Sequence, residues 1–146
     1  MSTNDENGKR FPTRERLPDT RKSITSRFCF PKSIERVVVN NGVAEVVKED
    51  FVGYITVGLY EDGRPGEIFF YSGKQGDDVR IYDALMVVIS IGLQSGIGLE
   101  VFVDKLEHMR FVPNGITTNS DIPLAKSFPD YLAKWLRKKF LNDKHG

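Results

Sequence analysis

The side chains able to do covalent chemistry are few. The sequence holds one cysteine, Cys29, and two histidines, His108 and His145. A nucleophilic triad needs a Ser or Cys beside a base that a third group orients. Here the bases are a histidine expected on a helix, with Asp104 one turn before it, and a histidine at the very end of the chain, so no triad is expected. Two histidines and one cysteine match no metal-ligand spacing. "GKQG" at 73–76 lacks the leading glycine spacing and the following Ser or Thr of a phosphate loop, and no GxGxxG occurs. What remains is a set of cations near expected loops and strand ends: Arg21, Lys22, Arg27, Lys74, Arg110 and Lys126. An arginine fork suits phosphate, and Lys126 is placed by its spacing in the first turn of a helix, where free amides favour anions. These six are the expected anion or nucleotide site. Phe11, Tyr54, Tyr60 and Tyr82 can stack a base, although aromatics at strand and helix spacing usually fill a core.

The elements that position these groups are legible from pattern. In 146 residues there is room for one domain. A net charge of +1 argues against a general nucleic-acid coat. The balance is uneven: residues 9–27 carry seven Lys or Arg against two acids, residues 134–144 five against one, and residues 45–67 six acids against two bases. Such a layout suits an anionic ligand or an acidic partner surface. The longest apolar run, around Ala84–Ile89, is too short to span a bilayer. The first residues have no apolar segment of a secretory signal, and a lone cysteine fits a reducing compartment, so a cytoplasmic protein without a membrane segment is expected. No metal or cofactor is called for.

Residues 1–13 read as a mobile leader and 142–146 as a frayed tail, with a single domain over 14–141. Ile24, Phe28 and Phe30 alternate with polar residues, as in a half-buried strand. "ERVVVNNGVAEVV" is a hairpin signal, because Asn41-Gly42 supplies the two positive-φ positions of a type I′ turn. "FVGYITVGLY" and "EIFFYS" are further strands joined by the turn cluster "EDGRPG". After "GKQGDD" the period becomes helical. Asp77 or Asp78 caps a helix whose residues 84–93 are apolar almost all round, so a central helix is expected, stopped at Gly96. Leu99, Phe102, Val103, Leu106 and Met109 mark a second helix. A third is expected after an Asp121–Pro123 cap, with a kink or break near 126–128 caused by Pro129. The fold class is α+β: an antiparallel sheet of four to five strands in the N-terminal half, packed against about three helices in the C-terminal half.

Three blocks, "RLPDTRKSIT", "GYITVGLYEDGRPGEIF" and "GIGLEVFVDKLEHMRFVPNGITTNSDIPLAKSFPDYLAKWL", together resemble the C-terminal, TSCPD-type region of adenosylcobalamin-dependent (class II) ribonucleotide reductases, from about Arg14 to Leu141. The resemblance implies a domain that also exists by itself. It departs from the family in several places. The catalytic barrel, its radical cysteine, its reducing cysteine pair and its cobalamin site have no counterpart. The family's short histidine-containing link is replaced by the insert 31–52, "NSDIP" stands where the namesake motif carries its cysteine, and no cysteine-rich tail follows. Within the family pattern "LPDTR" is an entrance to the sheet, which favours a structural hook at Arg21 and Lys22 over a phosphate clamp.

The resemblance implies a non-catalytic accessory or nucleotide-binding module of deoxynucleotide metabolism, with a ribonucleotide reductase subunit, a nucleotide, or both as partners. The alternatives are an independent protein that sequesters a nucleotide-type ligand, such as a phage product, and a protein–protein docking module using its basic end. The 31–52 hairpin can build an oligomer interface or a pocket wall.

Overall fold

The computed structural model describes residues 2–4, 10–73 and 77–141. Strands β1 (Ser2–Asn4) and β2 (Arg10–Pro12) pair with each other in the segment read as a leader. The tail 142–146 and Lys74 lie outside the described residues. The main sheet is antiparallel, ordered β3-β4-β5, from β3 (Ser23–Asn40), β4 (Val43–Leu59) and β5 (Pro65–Ser72). Three helices follow, α1 (Asp77–Gln94), α2 (Leu99–Leu106) and α3 (Phe128–Phe140), with the two-residue strands β6 (Gly115–Ile116) and β7 (Leu124–Ala125) between the last two.

The α+β class and the three helices agree with the sequence, but the main sheet has three strands rather than four or five. The expected hairpin is present: Asn41 and Gly42 take φ of 51° and 77°, and Asn40 pairs with Val43. Its arms do not start new strands, however. They prolong β3 and β4, and the only interruption is a register shift between Phe30 and Ile34, where Lys32 has φ 53° and its amide donates to Asp50 Oδ1 at 2.9 Å. Pro31 sits within this irregularity. A bulge lets the chain absorb it and bend while the ladder resumes beyond.

One face of the sheet carries the core. Phe28 lies at its centre, its ring 4.9–6.2 Å from those of Phe30, Phe51, Phe70, Phe128 and Tyr131. Helix α1 packs along β5 and protects that sheet edge with side chains. The Ser90 hydroxyl accepts from Ile68 N at 2.9 Å and donates to Met86 O, and Gln94 Nε2 donates to Gly66 O at 2.9 Å. The helix is not central as expected. Tyr82, Met86, Ile89 and Leu93 are buried, while Ile81, Val87, Val88 and Ile91 are exposed, because no layer lies beyond it.

The third helix also differs from expectation. Pro129 occupies its first turn, where a missing N–H costs nothing, so it starts the helix instead of kinking it. The cap is Ser127, whose Oγ accepts from Asp130 N at 3.0 Å and donates to Met109 O at 2.6 Å; Asp121 lies upstream in a turn. Ser127 is thus a serine N-cap three residues before Asp130, whose carboxylate turns back to Lys126 N instead of closing a reciprocal box, and the proline obscured the signal.

Candidate functional site

The hook that opens the domain is tied down. Arg21 gives its Nε and Nη2 to the two carboxylate oxygens of Glu67, the latter at 2.9 Å, and its Nη1 to Pro18 O at 2.7 Å. Glu67 lies across β4 at Gly58, its register partner, where a Cβ would meet its Cγ at 2.7 Å; a glycine makes the room. The hydrogen bond to Glu67 holds the Arg21 pKa above its ordinary value. Lys22 is exposed, and its carbonyl accepts from Leu59 N at 2.9 Å. Nearby Glu15 N donates to Gln94 O at 2.7 Å and Tyr60 Oη to Glu15 O. An anion at Arg21 has to displace a carboxylate that already fills the guanidinium fork.

Arg110 and Lys126 lie on adjacent segments, since Phe111 N donates to Lys126 O at 3.1 Å. Lys126 is not in the first turn of α3 but precedes its cap. The helix N-terminus is occupied by the chain's own carboxylate: Asp130, fully buried, accepts from His108 N (2.7 Å), Lys126 N (2.8 Å) and Lys134 Nζ (3.0 Å). Burial pushes its pKa up, but the two amides and the ammonium outweigh it, and the group titrates below the ordinary carboxylate range. His108 follows α2 at φ 71° rather than standing on it. Burial raises the pKa of the Cys29 thiol, which keeps it protonated and a poor nucleophile. Among the described residues, no three His, Cys, Asp or Glu side chains could hold a metal ion.

Of the five described cations Arg27 alone stands on the open face of the sheet, and there it lies in an arrangement the sequence did not assemble. Tyr54 faces Arg27 across β3–β4 and Tyr71 faces Tyr54 across β4–β5, so Arg27, Tyr54 and Tyr71 form one cross-strand row. The neighbouring row is Thr25, Thr56 and Phe69, with the two threonine hydroxyls 3.0 Å apart. Tyr54, Phe69 and Tyr71 are 42%, 54% and 65% exposed, high values for large rings, and no ion pair among the described residues engages Arg27. Alternation explains the arrangement. Gly53, Ile55 and Val57 of β4 face the core, so Val52, Tyr54 and Thr56 face outward. Tyr60 and Tyr82, also considered for stacking, are buried. Tyr71 was missed because "EIFFYS" has apolar residues on both faces and its period does not say which is outer.

The row leads into a groove of about 610 Å³ in the elbow where the hairpin bends away from the sheet, whose lining includes Lys32, Lys48, Glu49, Asp50, Tyr54 and Tyr71 and extends to Gly73. Lys74 follows Gly73 in sequence. A second groove, of about 320 Å³ beside α1, has its arginine and glutamate already engaged: Arg14 with Gln94, and Glu67 with Arg21. The elbow therefore combines open ring faces, the cations Lys32 and Lys48, the latter 3.9 Å from Glu35, and two carboxylates, Glu49 and Asp50. It can stack a flat ring, meet phosphate with Arg27, Lys32 and Lys48, and accept from an amino group at Asp50.

Residues 30–140 match the family pattern of the TSCPD domain. The chain is 42% identical over 132 residues to a vitamin B12-dependent ribonucleotide reductase of Rhodopirellula baltica, 37% identical over 131 residues to one of Streptantibioticus cattleyicolor and 32% identical over 131 residues to one of Bradyrhizobium diazoefficiens. These alignments take in 90%, 89% and 88% of this chain but span only 11%, 19% and 9% of those relatives. No solved structure matches. A pattern running from the first core strand to the end of the last helix, and relatives that align along nearly the whole chain, lead to one statement: the chain belongs to the TSCPD domain family.

Proposed function

We propose that the chain is a non-catalytic, nucleotide-binding accessory module of deoxynucleotide metabolism, acting in the cytoplasm. The observation that carries this reading is the Arg27–Tyr54–Tyr71 row at the mouth of the elbow groove. A base lies on the tyrosine rings, and its phosphates meet Arg27, Lys32 and Lys48. Stacking on an aromatic ring contributes about 1–3 kcal/mol per base, and the cations beside the rings add charge-assisted hydrogen bonds. Relatives named vitamin B12-dependent ribonucleotide reductase support a deoxynucleotide context. The non-catalytic part rests on the single cysteine, a buried and protonated thiol. Alone it supplies neither the radical cysteine nor the reducing pair that the resemblance implies. Of the six cations first singled out, Arg27 belongs to this site and Lys74 adjoins it in sequence. Arg21, Lys22, Arg110 and Lys126 lie away from the row, and Arg21 is the structural hook.

The test is a thermal-shift panel of ribo- and deoxynucleoside di- and triphosphates on the wild-type chain and on Tyr54→Ala and Arg27→Ala. A ligand at 100 times its Kd adds about 2.7 kcal/mol to the folded state, a rise of several degrees. The wild type shifts with at least one nucleotide, and both variants lose the shift while keeping their unliganded Tm. A flat panel, or shifts that both variants retain, overturns the reading.

A second reading is favoured by a specific feature of α1. Ile81, Ala84, Val88 and Ile91 recur at spacings of three and four along its exposed side, the pattern of a helix-packing seam. A reductase subunit that buries this stripe is the partner the family context suggests. Co-sedimentation with a reductase lacking this domain, lost in Val88→Glu, tests it.

A further inference from the structure

The open face of the sheet carries the exposed rings of Tyr54, Phe69 and Tyr71, and the nucleotide reading uses only the two tyrosines. Among the described residues none of the three touches another aromatic ring, unlike the core rings, which pack on one another. They fall in two successive rows, Arg27–Tyr54–Tyr71 and, two residues away along each strand, Thr25–Thr56–Phe69. That separation is about 6.8 Å. Each row opens on its own recess: Tyr54 and Tyr71 on the elbow groove of about 610 Å³, Phe69 on the groove of about 320 Å³ beside α1. The next row, Ser23–Gly58–Glu67, adds no ring, and its carboxylate is already held by Arg21 of the hook.

The groups on this face are sorted by strand. The rings stand on β4 and β5, whereas β3 contributes Arg27 and Thr25, and the Thr25 hydroxyl shares a hydrogen bond of 3.0 Å with that of Thr56. One hydroxyl of the pair donates to the other, so the second keeps a hydrogen to give and both keep acceptor capacity. Bases on the rings therefore put a sugar–phosphate chain over β3, where a guanidinium and hydroxyls meet it. The exposed stripe of α1, Ile81, Val88 and Ile91, is aliphatic and has no ring to offer. Spacing fixes the form of the chain. A duplex strand advances about 3.4 Å per nucleotide, half the row separation, so neighbouring bases reach both rows only when unstacked from each other, as a single strand allows. Two bases call for few cations, in keeping with a net charge of +1.

We infer that the open face binds a single-stranded nucleic-acid segment of at least two nucleotides. One base lies on Tyr54 and Tyr71, the next lies on Phe69, and the phosphate between them meets Arg27, with the Thr25–Thr56 pair beside it. The inference rests on the nucleotide reading of the first row and names its ligand class; what it adds is the stacking position at Phe69. Stacking holds the bases by their faces, so the binding tolerates sequence.

The experiment is isothermal titration calorimetry on the full chain at one fixed salt concentration. The probes are thymidine 5′-monophosphate, the 5′-phosphorylated thymidine dinucleotide, and the same dinucleotide with an abasic second position. The same set in the uridine series tells DNA from RNA. In at least one series the dinucleotide binds about 5- to 150-fold more tightly than its abasic counterpart, the contribution of one stacked base. Phe69→Ala removes that difference. If Phe69→Ala fails to fold, the wild-type comparison of dinucleotide with abasic probe decides by itself. A mononucleotide that binds while neither dinucleotide gains over its abasic counterpart overturns this inference and leaves the nucleotide reading standing. A gain that Phe69→Ala keeps also overturns it, by placing the second base elsewhere. No binding by any probe overturns it as well, and only a flat thermal-shift panel takes the nucleotide reading with it.

Discussion

Asp130 shows how one side chain can hold a junction. Its carboxylate gathers the amide after α2, the amide before the cap of α3 and the ammonium of Lys134. Because its folded-state pKa lies below the ordinary value of about 3.9, the carboxylate stabilises the fold above that pH, and this contribution is lost as pH falls through the folded-state value. Asp130→Asn is therefore expected to lower the Tm clearly at pH 7. The gap between variant and wild type narrows as pH is taken below about 4, which paired thermal melts read directly. A constant gap would assign the loss to packing instead of charge. The residue's role was hidden in the sequence, where Asp130 is one more acid beside a proline. By contrast, Arg21 was visible as part of "LPDTR", and the structural reading of that hook agrees with its pairing to Glu67. What sequence could not supply was the partner, which lies 46 positions away across a strand.

At the scale of elements, local chemistry was the most readable part. The Asn41-Gly42 turn, the alternation of Phe28 and Phe30, and the stop at Gly96, with φ 92°, are dictated by residues close in sequence. The failures came where a local signal has two outcomes. Pro129 can break a helix or begin one, and the cap decides which. Ser127 is the residue that decides for α3, and it is fully buried while both donating and accepting. Replacing it with alanine removes the cap and leaves Met109 O without its donor. We expect a loss of about 1 kcal/mol, up to about 2, measured by urea unfolding with an unchanged m value. No measurable loss would mean that Asp130 and Pro129 start the helix unaided. The apolar all-round pattern of α1 was also ambiguous, since periodicity reports how much of a helix is apolar and not how many layers surround it.

At the scale of the whole molecule, the sheet is covered on one face only, and the functional account lies on the other. Three observations meet there: the Arg27–Tyr54–Tyr71 row, the elbow groove, and a valine ribbon whose β4 face runs on into the same surface. This convergence was only partly legible. Arg27 and Tyr54 were each picked out, but their adjacency depends on the β3–β4 register, and Tyr71 joins them only through β5. Among the described residues, no helix is long and apolar enough to cross a membrane. The most direct test of the central claim is a backbone NMR titration of the chain with the nucleotide that gives the largest thermal shift. The account predicts chemical-shift changes concentrated at Arg27, Val52, Gly53, Tyr54 and Tyr71, with Arg21, Arg110 and Lys126 unmoved. Changes centred on Arg110 and Lys126, or none at the sheet's open face, would contradict it.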